Sequence, residues 1–96
     1  MIKLIFRFTV KEDKIDEFIA IGTKLVASGR KDEGCISMQL LRDSKLMNVF
    51  AIIDEWASQE ALDKHSKNPV AIALMPLLDE TLEKFPPDGD VYSVVI

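Results

Sequence analysis

The chain has 96 residues, of which 48% are hydrophobic and 29% charged, and its formal net charge at pH 7 is −4. This length predicts one domain, residues 1–96, and the acidic balance argues against a nucleic-acid partner, because such binding depends on cations that neutralise phosphates. The single cysteine, Cys35, excludes a disulfide within the chain, and without a signal peptide or a membrane-length apolar run we expect a cytoplasmic protein with no membrane partner.

The chain begins with a predicted strand and a predicted helix. Apolar side chains alternate over residues 2–10, a pattern typical of a strand with one apolar face. Asp13 is a suitable helix N-cap, and Asp16 stands where the acid of a capping box would reach back to it. Apolar residues at helical spacing then predict a helix that ends near Ser28 and Gly29.

Two further strands are predicted as a hairpin. A turn at residues 32–34 leads into a strand over residues 35–42, and residues 43–45 form a connection to a strand over residues 48–56. The first of these two strands has one apolar face, which consists of Ile36, Met38 and Leu40.

The rest of the chain predicts two helices and a last strand. Ser58 can cap a short helix, and Asn68, followed by a proline, suits the cap of a third helix. Pro76 lies inside the third helical pattern, so a kink or a restart is expected there. The prolines at residues 86–87 end the helical region, and a strand is predicted over residues 91–96.

The order strand, helix, strand, strand, helix pair, strand is that of a ferredoxin-like α+β fold, with the helices on one face of a four-stranded antiparallel sheet. The strand over residues 48–56 is apolar on both faces, since Val49, Ala51 and Ile53 lie opposite the face that the helices would cover. Soluble monomers rarely expose so large an apolar surface, so we expect a homodimer in which two sheets stack across a two-fold axis.

The same strand and the helix after it form a candidate site. Strand parity places five residues on the covered face: Asn48, Phe50, Ile52, Asp54 and Trp56. Helical spacing turns His65 toward the sheet, close to Trp56. Because imidazole ordinarily titrates near neutral pH, His65 could bind a substrate hydroxyl or move its proton, with Asp54 as the orienting acid.

These residues also have purely structural interpretations. A lone inward histidine is more often packed, with its nitrogens satisfied by Asp54 or a backbone carbonyl, than catalytic. Trp56 could be a core residue, Asp54 a helix cap and Asn48 a turn residue. One His and one Cys thirty residues apart form no ligand set, so no metal is expected.

Two segments resemble the antibiotic biosynthesis monooxygenase family, and the resemblance extends over essentially the whole chain. They are the turn EGC at residues 33–35 and the segment at residues 54–65, in which acid-x-Trp is followed by a short helix of the form E-A-L-x-x-H. The resemblance implies a dimeric α+β barrel with a pocket between sheet and helices in each subunit. Characterised relatives oxidise quinols or polycyclic phenols with O2 without a metal or flavin cofactor, and the deprotonated substrate itself supplies the electron.

Carried onto this chain, the resemblance implies His65 as the base or anchor, Trp56 as an aromatic wall and Asp54 as the orienting acid. Three further residues would line the slot: Phe6, Phe50 and Ile52. Many relatives have a second histidine after the proline that follows the helix, where this chain has Val70. The haem-degrading branch uses an Asn and an axial His at positions that correspond to Phe6 and Leu74 here, so haem cleavage is not expected.

The predicted function is therefore a cofactor-independent monooxygenase that acts on a quinol-like or phenolic aromatic small molecule with O2. One alternative is a non-redox isomerase or a binding protein of the same fold for a small phosphorylated or carbonyl metabolite. Arg7 is expected on the other face of the sheet, which counts against an anionic ligand in the pocket. The other alternative is a dimeric binding or stress-response module without chemistry.

Overall fold

A four-stranded antiparallel sheet, with helices packed on one face, makes up the chain in a computed structural model that covers residues 1–96. Its elements are β1 (Ile2–Thr9), α1 (Ile15–Gly29), β2 (Cys35–Arg42), β3 (Val49–Trp56), α2 (Gln59–His65), α3 (Pro69–Asp79) and β4 (Asp88–Ser93). The strand order is β2-β3-β1-β4, with every neighbouring pair antiparallel. The ferredoxin-like α+β prediction is confirmed. None of the helices combines the length and the apolar character that crossing a membrane requires.

The hydrophobic core lies between the helices and the inner face of the two central strands, β1 and β3. Phe8 of β1 and Phe50 of β3 are paired across the sheet, and both are buried. Phe18 of α1 packs on the two rings, with centroid distances of 5.3 Å to Phe8 and 4.8 Å to Phe50. This aromatic cluster fills one end of the layer between α1 and the sheet, as the alternating apolar pattern of β1 predicts.

The start of α1 differs from the prediction. Residues Glu12–Lys14 form a 3₁₀ turn, and Lys14 occupies the N-cap position of α1 without a side-chain cap hydrogen bond. The capping box assigned to Asp13 and Asp16 is therefore wrong, because Asp13 already lies within the 3₁₀ turn that continues directly into the α-helix. The predicted end of the helix at Gly29 is confirmed.

Strand β2 contains an irregularity that the sequence pattern does not reveal. Cys35 is paired with Trp56, but Ser37 is paired with Glu55, so Ile36 is an extra residue in the ladder. A bulge of this kind shifts the alternation of side chains between the two faces. Met38 is buried at 5% exposure, whereas Ile36 is 49% exposed. The prediction of a common apolar face is therefore wrong at Ile36.

The last helix and strand also have bounds that differ from those predicted. Helix α3 runs without a break through Pro76, so the restart expected there does not occur. The hydrogen bond that Pro76 cannot make would go to the carbonyl of Ile72, on the exposed side of the helix. Strand β4 spans Asp88–Ser93 rather than residues 91–96. It ends at Ser93 because this residue is paired with Ile2, the first residue of β1.

Candidate active site

A cavity of about 430 Å³ lies between the inner face of the sheet and helices α2 and α3. Eleven of its fifteen lining residues are hydrophobic, and the other four are Asp54, His65, Ser66 and Pro87. The apolar walls come from the sheet (Leu4, Phe6, Phe8, Met38, Ile52) and from the helices (Leu25, Leu62, Ala71, Ile72, Met75, Leu78). Its volume and lining are those of a small-molecule site, in which a few polar groups orient a largely apolar ligand.

His65, the only histidine, is the last residue of α2 and borders this cavity. Its ring packs against the indole of Trp56, with centroids 4.5 Å apart and planes inclined at 32°. Its Nδ1 lies 2.6 Å from Oδ2 of Asp32, in the turn between α1 and β2. Nε2 has no hydrogen-bond partner within the chain and is not a fully buried atom.

A glycine brings Asp32 and His65 together. Gly34 has a backbone φ of +84°, and a Cβ at this position would overlap the Cβ of Ala61 in α2. Its carbonyl also accepts a hydrogen bond of 2.8 Å from the backbone N–H of Ala57. The EGC turn can therefore pack directly on the start of α2 only because residue 34 has no side chain.

Asp54 is buried at 3% exposure beside the cavity, and its carboxylate accepts a hydrogen bond of 2.5 Å from Nε1 of Trp56. Burial raises the pKa of Asp54, although the indole N–H and the charge of His65 act in the opposite direction. The predicted contact in which Asp54 orients His65 is absent, because the Asp54 carboxylate accepts its hydrogen bond from Trp56, on the same face of the strand. Asp32 makes that contact instead.

The predicted substrate-binding residues divide into two groups. Phe6 and Ile52 line the cavity, whereas Trp56, Phe50 and Asn48 do not. Trp56 is fully buried behind His65, and Phe50 belongs to the aromatic cluster of the core. Asn48 lies just before β3 and donates a hydrogen bond of 3.1 Å to the carbonyl of Val10. Strand parity identifies the inner face correctly, but it does not tell which residues on that face border the empty space.

Two polar residues beside His65 are not indicated as site residues by the sequence pattern. Asp32 is 33 positions from His65, and only its place in the turn that precedes Cys35 indicates it. Asn68, predicted only as a helix cap, also donates hydrogen bonds to Asp32.

Val70, where relatives have a second histidine, is 44% exposed and does not line the cavity. No group of three or more His, Cys, Asp and Glu side chains is arranged to hold a metal ion.

Comparisons with known proteins give one consistent result. The family model described as antibiotic biosynthesis monooxygenase matches residues 1–76. An uncharacterized protein of Synechocystis sp. is 31% identical over 85 residues, which are 88% of this chain but only 57% of that protein. A conserved protein from Methanosarcina mazei Go1 has a similar structure, with a TM-score of 0.91 and 26% identity over 95% of this chain and 89% of that one.

A variant of SnoaB, a cofactor-independent oxygenase from Streptomyces nogalater, also has a similar structure, with a TM-score of 0.87. The two chains are 18% identical, and the similarity covers 99% of this chain and 93% of SnoaB. At this level of identity the similarity demonstrates a common fold.

Proposed function

The chain belongs to the antibiotic biosynthesis monooxygenase family, and we propose that it is a cofactor-independent monooxygenase that oxidises a quinol-like or phenolic aromatic molecule with O2. One observation supports this function above all: the imidazole of His65 borders a cavity whose lining is otherwise almost entirely apolar. Such a cavity can bind a flat aromatic ring and exclude water, while the imidazole can accept a hydroxyl proton. SnoaB shows that the same fold occurs in a cofactor-independent oxygenase.

The proposed reaction begins when Nε2 of His65 accepts the proton of a substrate hydroxyl. The resulting anion donates one electron to O2, and the two radicals combine at a ring carbon that carries hydrogen. The imidazolium returns its proton to the peroxide, which gives a hydroperoxide on a ring carbon that still carries hydrogen. The terminal OH of the hydroperoxide and that hydrogen then leave as water, and the carbon becomes a carbonyl group. One oxygen atom thus enters the product and the other leaves as water. An apolar cavity favours the electron transfer by keeping water from solvating the anion.

Asp54 supports a phenolic substrate in its neutral form. Burial raises its pKa, so the protonated acid persists to a higher pH than in water, and in this form it can donate a hydrogen bond to a second substrate oxygen. An ionised carboxylate at this position would instead repel the substrate anion. We assign Asp54 this donor role, with Phe6 and Ile52 as walls for the aromatic ring.

An isomerase or binding protein for a phosphorylated metabolite is supported less well. The cavity lining contains Asp54 and no Lys or Arg, so an anionic ligand would find no counter-charge there. Arg7 lies on the outer face of the sheet, where it pairs with Asp90 at 3.3 Å and is largely exposed.

We also propose that the protein is a homodimer in which the outer faces of two sheets stack. No element of the chain covers that face. Its centre contains apolar side chains on the two middle strands, where Ile5 is paired with Ile53. Stacking of a second copy is the simplest arrangement that would remove this surface from water.

Oxygen uptake by the wild-type protein with a panel of naphthoquinols tests the proposed activity. The protein is treated with a chelator beforehand, and the products formed under isotopically labelled O2 are analysed by mass spectrometry. We expect uptake with at least one quinol and one labelled oxygen atom in its product. No uptake with any quinol would contradict the proposal, and binding without turnover would favour the binding module.

A further inference from the structure

A continuous set of hydrogen bonds connects the N-terminus of α3 to the ring of His65. Oδ1 of Asn68 accepts from the backbone N–H groups of Val70, at 2.8 Å, and Ala71, at 3.3 Å. Only the amide oxygen can accept, so these two bonds determine the orientation of the Asn68 side chain. Its Nδ2 is consequently directed at Asp32, 2.8 Å from Oδ1 and 3.0 Å from Oδ2.

This orientation determines the roles of the groups that follow. An amide NH2 group can only donate, so Asp32 accepts from Asn68 through its carboxylate oxygens. Oδ2 of the same carboxylate lies 2.6 Å from Nδ1 of His65. An ionised carboxylate has no proton to donate, so it accepts from the imidazole as well, and this places the proton on Nδ1. In a neutral imidazole the other nitrogen, Nε2, is then the acceptor.

The surroundings favour a single position for the ring. The side chains of His65 and Asp32 are 21% and 23% exposed, so the hydrogen bond between them is partly shielded from water. Trp56 covers one face of the imidazole. On another side the ring lies close to Gly29, where a Cβ would be in van der Waals contact with Cε1 of His65, at 3.4 Å.

We propose that Asp32, held by Asn68, is a positioning residue that keeps the proton of His65 on Nδ1 and so leaves Nε2 as the proton acceptor toward the cavity. The catalytic meaning of this arrangement rests on the proposed monooxygenase function, but the position of the proton can be measured without turnover. Asn68 also caps α3, which contributes Ala71 and Ile72 to the cavity wall. One side chain thereby connects the orientation of the base to the helix that covers the substrate.

The position of the proton can be read from NMR of the protein produced without a histidine tag. His65 is the only histidine, so the ring signals in a long-range proton–nitrogen correlation spectrum need no assignment. In the wild type, at a pH where the ring is neutral, we expect Nδ1 to be protonated and Nε2 to be unprotonated. In Asp32→Ala the Nε2-protonated form should become the major one, because the acceptor that holds the proton on Nδ1 is lost. In the isosteric Asp32→Asn the amide oxygen accepts from Asn68, so the amide NH2 faces Nδ1 and also favours the proton on Nε2.

Two further variants make the result specific. Asp63→Ala removes an exposed carboxylate from the same helix as His65 and should leave the wild-type tautomer unchanged. Asn68→Ser keeps a helix-capping oxygen but removes the amide donor to Asp32, and it should raise the Nε2-protonated fraction. Circular dichroism establishes that each variant is folded. A wild type with its proton on Nε2, or a wild-type tautomer ratio in both Asp32 variants, would overturn the inference.

Where a quinol substrate is found, kinetics provide a second readout. Asp32→Asn should lower kcat by about 10- to 100-fold, a part of the about 10²- to 10⁴-fold that a general base supplies. KM should change little, because the apolar walls that bind the ring are not altered. A raised KM with unchanged kcat would contradict a positioning role. Failure of the wild type to oxidise any quinol would refute the proposed function and leave the tautomer result to be judged on its own.

Discussion

The two nitrogens of His65 have different surroundings, and this difference bears on whether the residue is structural or catalytic. A buried histidine that only stabilises the fold is expected to have both nitrogens hydrogen-bonded, either to the protein or to ordered water. In this chain Nδ1 bonds to Asp32, whereas Nε2 has no partner and the ring borders the cavity. The sequence left both interpretations open, and the geometry favours an exchangeable site at Nε2.

The pKa of Asp54, which burial raises, has a consequence for stability that can be measured. Because its pKa is raised above the ordinary value of 3.8, the folded protein binds more protons than the unfolded chain just above that pH. Stability is therefore lost as the pH rises through the raised pKa, and the cost is fully present above it. In Asp54→Asn, which keeps an oxygen to accept from Trp56, this cost disappears.

We accordingly expect the stability of Asp54→Asn relative to the wild type to increase from acidic to neutral pH. Urea denaturation followed by the fluorescence of the single tryptophan measures this difference at each pH. Asp63→Asn, at an exposed position of α2, serves as the control and should show no such trend. A constant difference between Asp54→Asn and the wild type across the pH range would argue against a raised pKa.

At the scale of elements, local signals were predictable and long-range ones were not. The caps of α2 and α3 are confirmed, since the side chains of Ser58 and Asn68 accept the expected backbone N–H groups. Such caps depend on residues two or three positions apart. The bulge at Ile36 and the contact between Asp32 and His65 depend instead on how separate elements pair and pack, which alternation and spacing within one element do not encode.

The packing of the EGC turn on α2 gives a prediction at this scale. In Gly34→Ala a side chain would have to adopt a positive φ, at a cost of about 1–3 kcal/mol, and its Cβ would overlap Ala61, at a further cost of about 1–3 kcal/mol. We expect the free energy of unfolding to fall by the sum of the two costs, about 2–6 kcal/mol, measured by urea denaturation. Lys31→Ala, at an exposed position between α1 and the EGC turn, should change it by less than about 0.5 kcal/mol. A loss in Gly34→Ala as small as that of the control would show that the turn does not pack as described.

At the scale of the whole molecule, the order of elements was sufficient to predict the fold. Sequential strands and helices of this length have few ways to form a sheet with one covered face, so the ferredoxin-like arrangement follows from the pattern. The cavity did not follow from it, because its shape depends on which side chains leave space between α3 and the sheet. Of the predicted site residues, Phe6, Ile52, Asp54 and His65 border that space.

The outer face of the sheet leads to a prediction about assembly. Ile53→Glu places a charge at the centre of that face, opposite Ile5 of the neighbouring strand. Sedimentation at micromolar concentration should give the wild type a mass of twice the 10.8 kDa of one chain, and Ile53→Glu a mass close to that of one chain. Ala27→Glu adds the same charge on the exposed side of α1 and should not change the mass. A wild type that sediments as a single chain would rule out the homodimer.

The central claim is that His65 is the base of an oxidation in the apolar cavity. Its most direct test compares oxygen uptake by the wild type and by His65→Ala, with the quinol that the wild type oxidises fastest as substrate. We expect kcat of His65→Ala to fall by about 10²- to 10⁴-fold, the usual contribution of a general base. Lys64→Ala, at the exposed neighbouring position of α2, should retain the wild-type rate. Equal uptake by the wild type and a folded His65→Ala would contradict the claim.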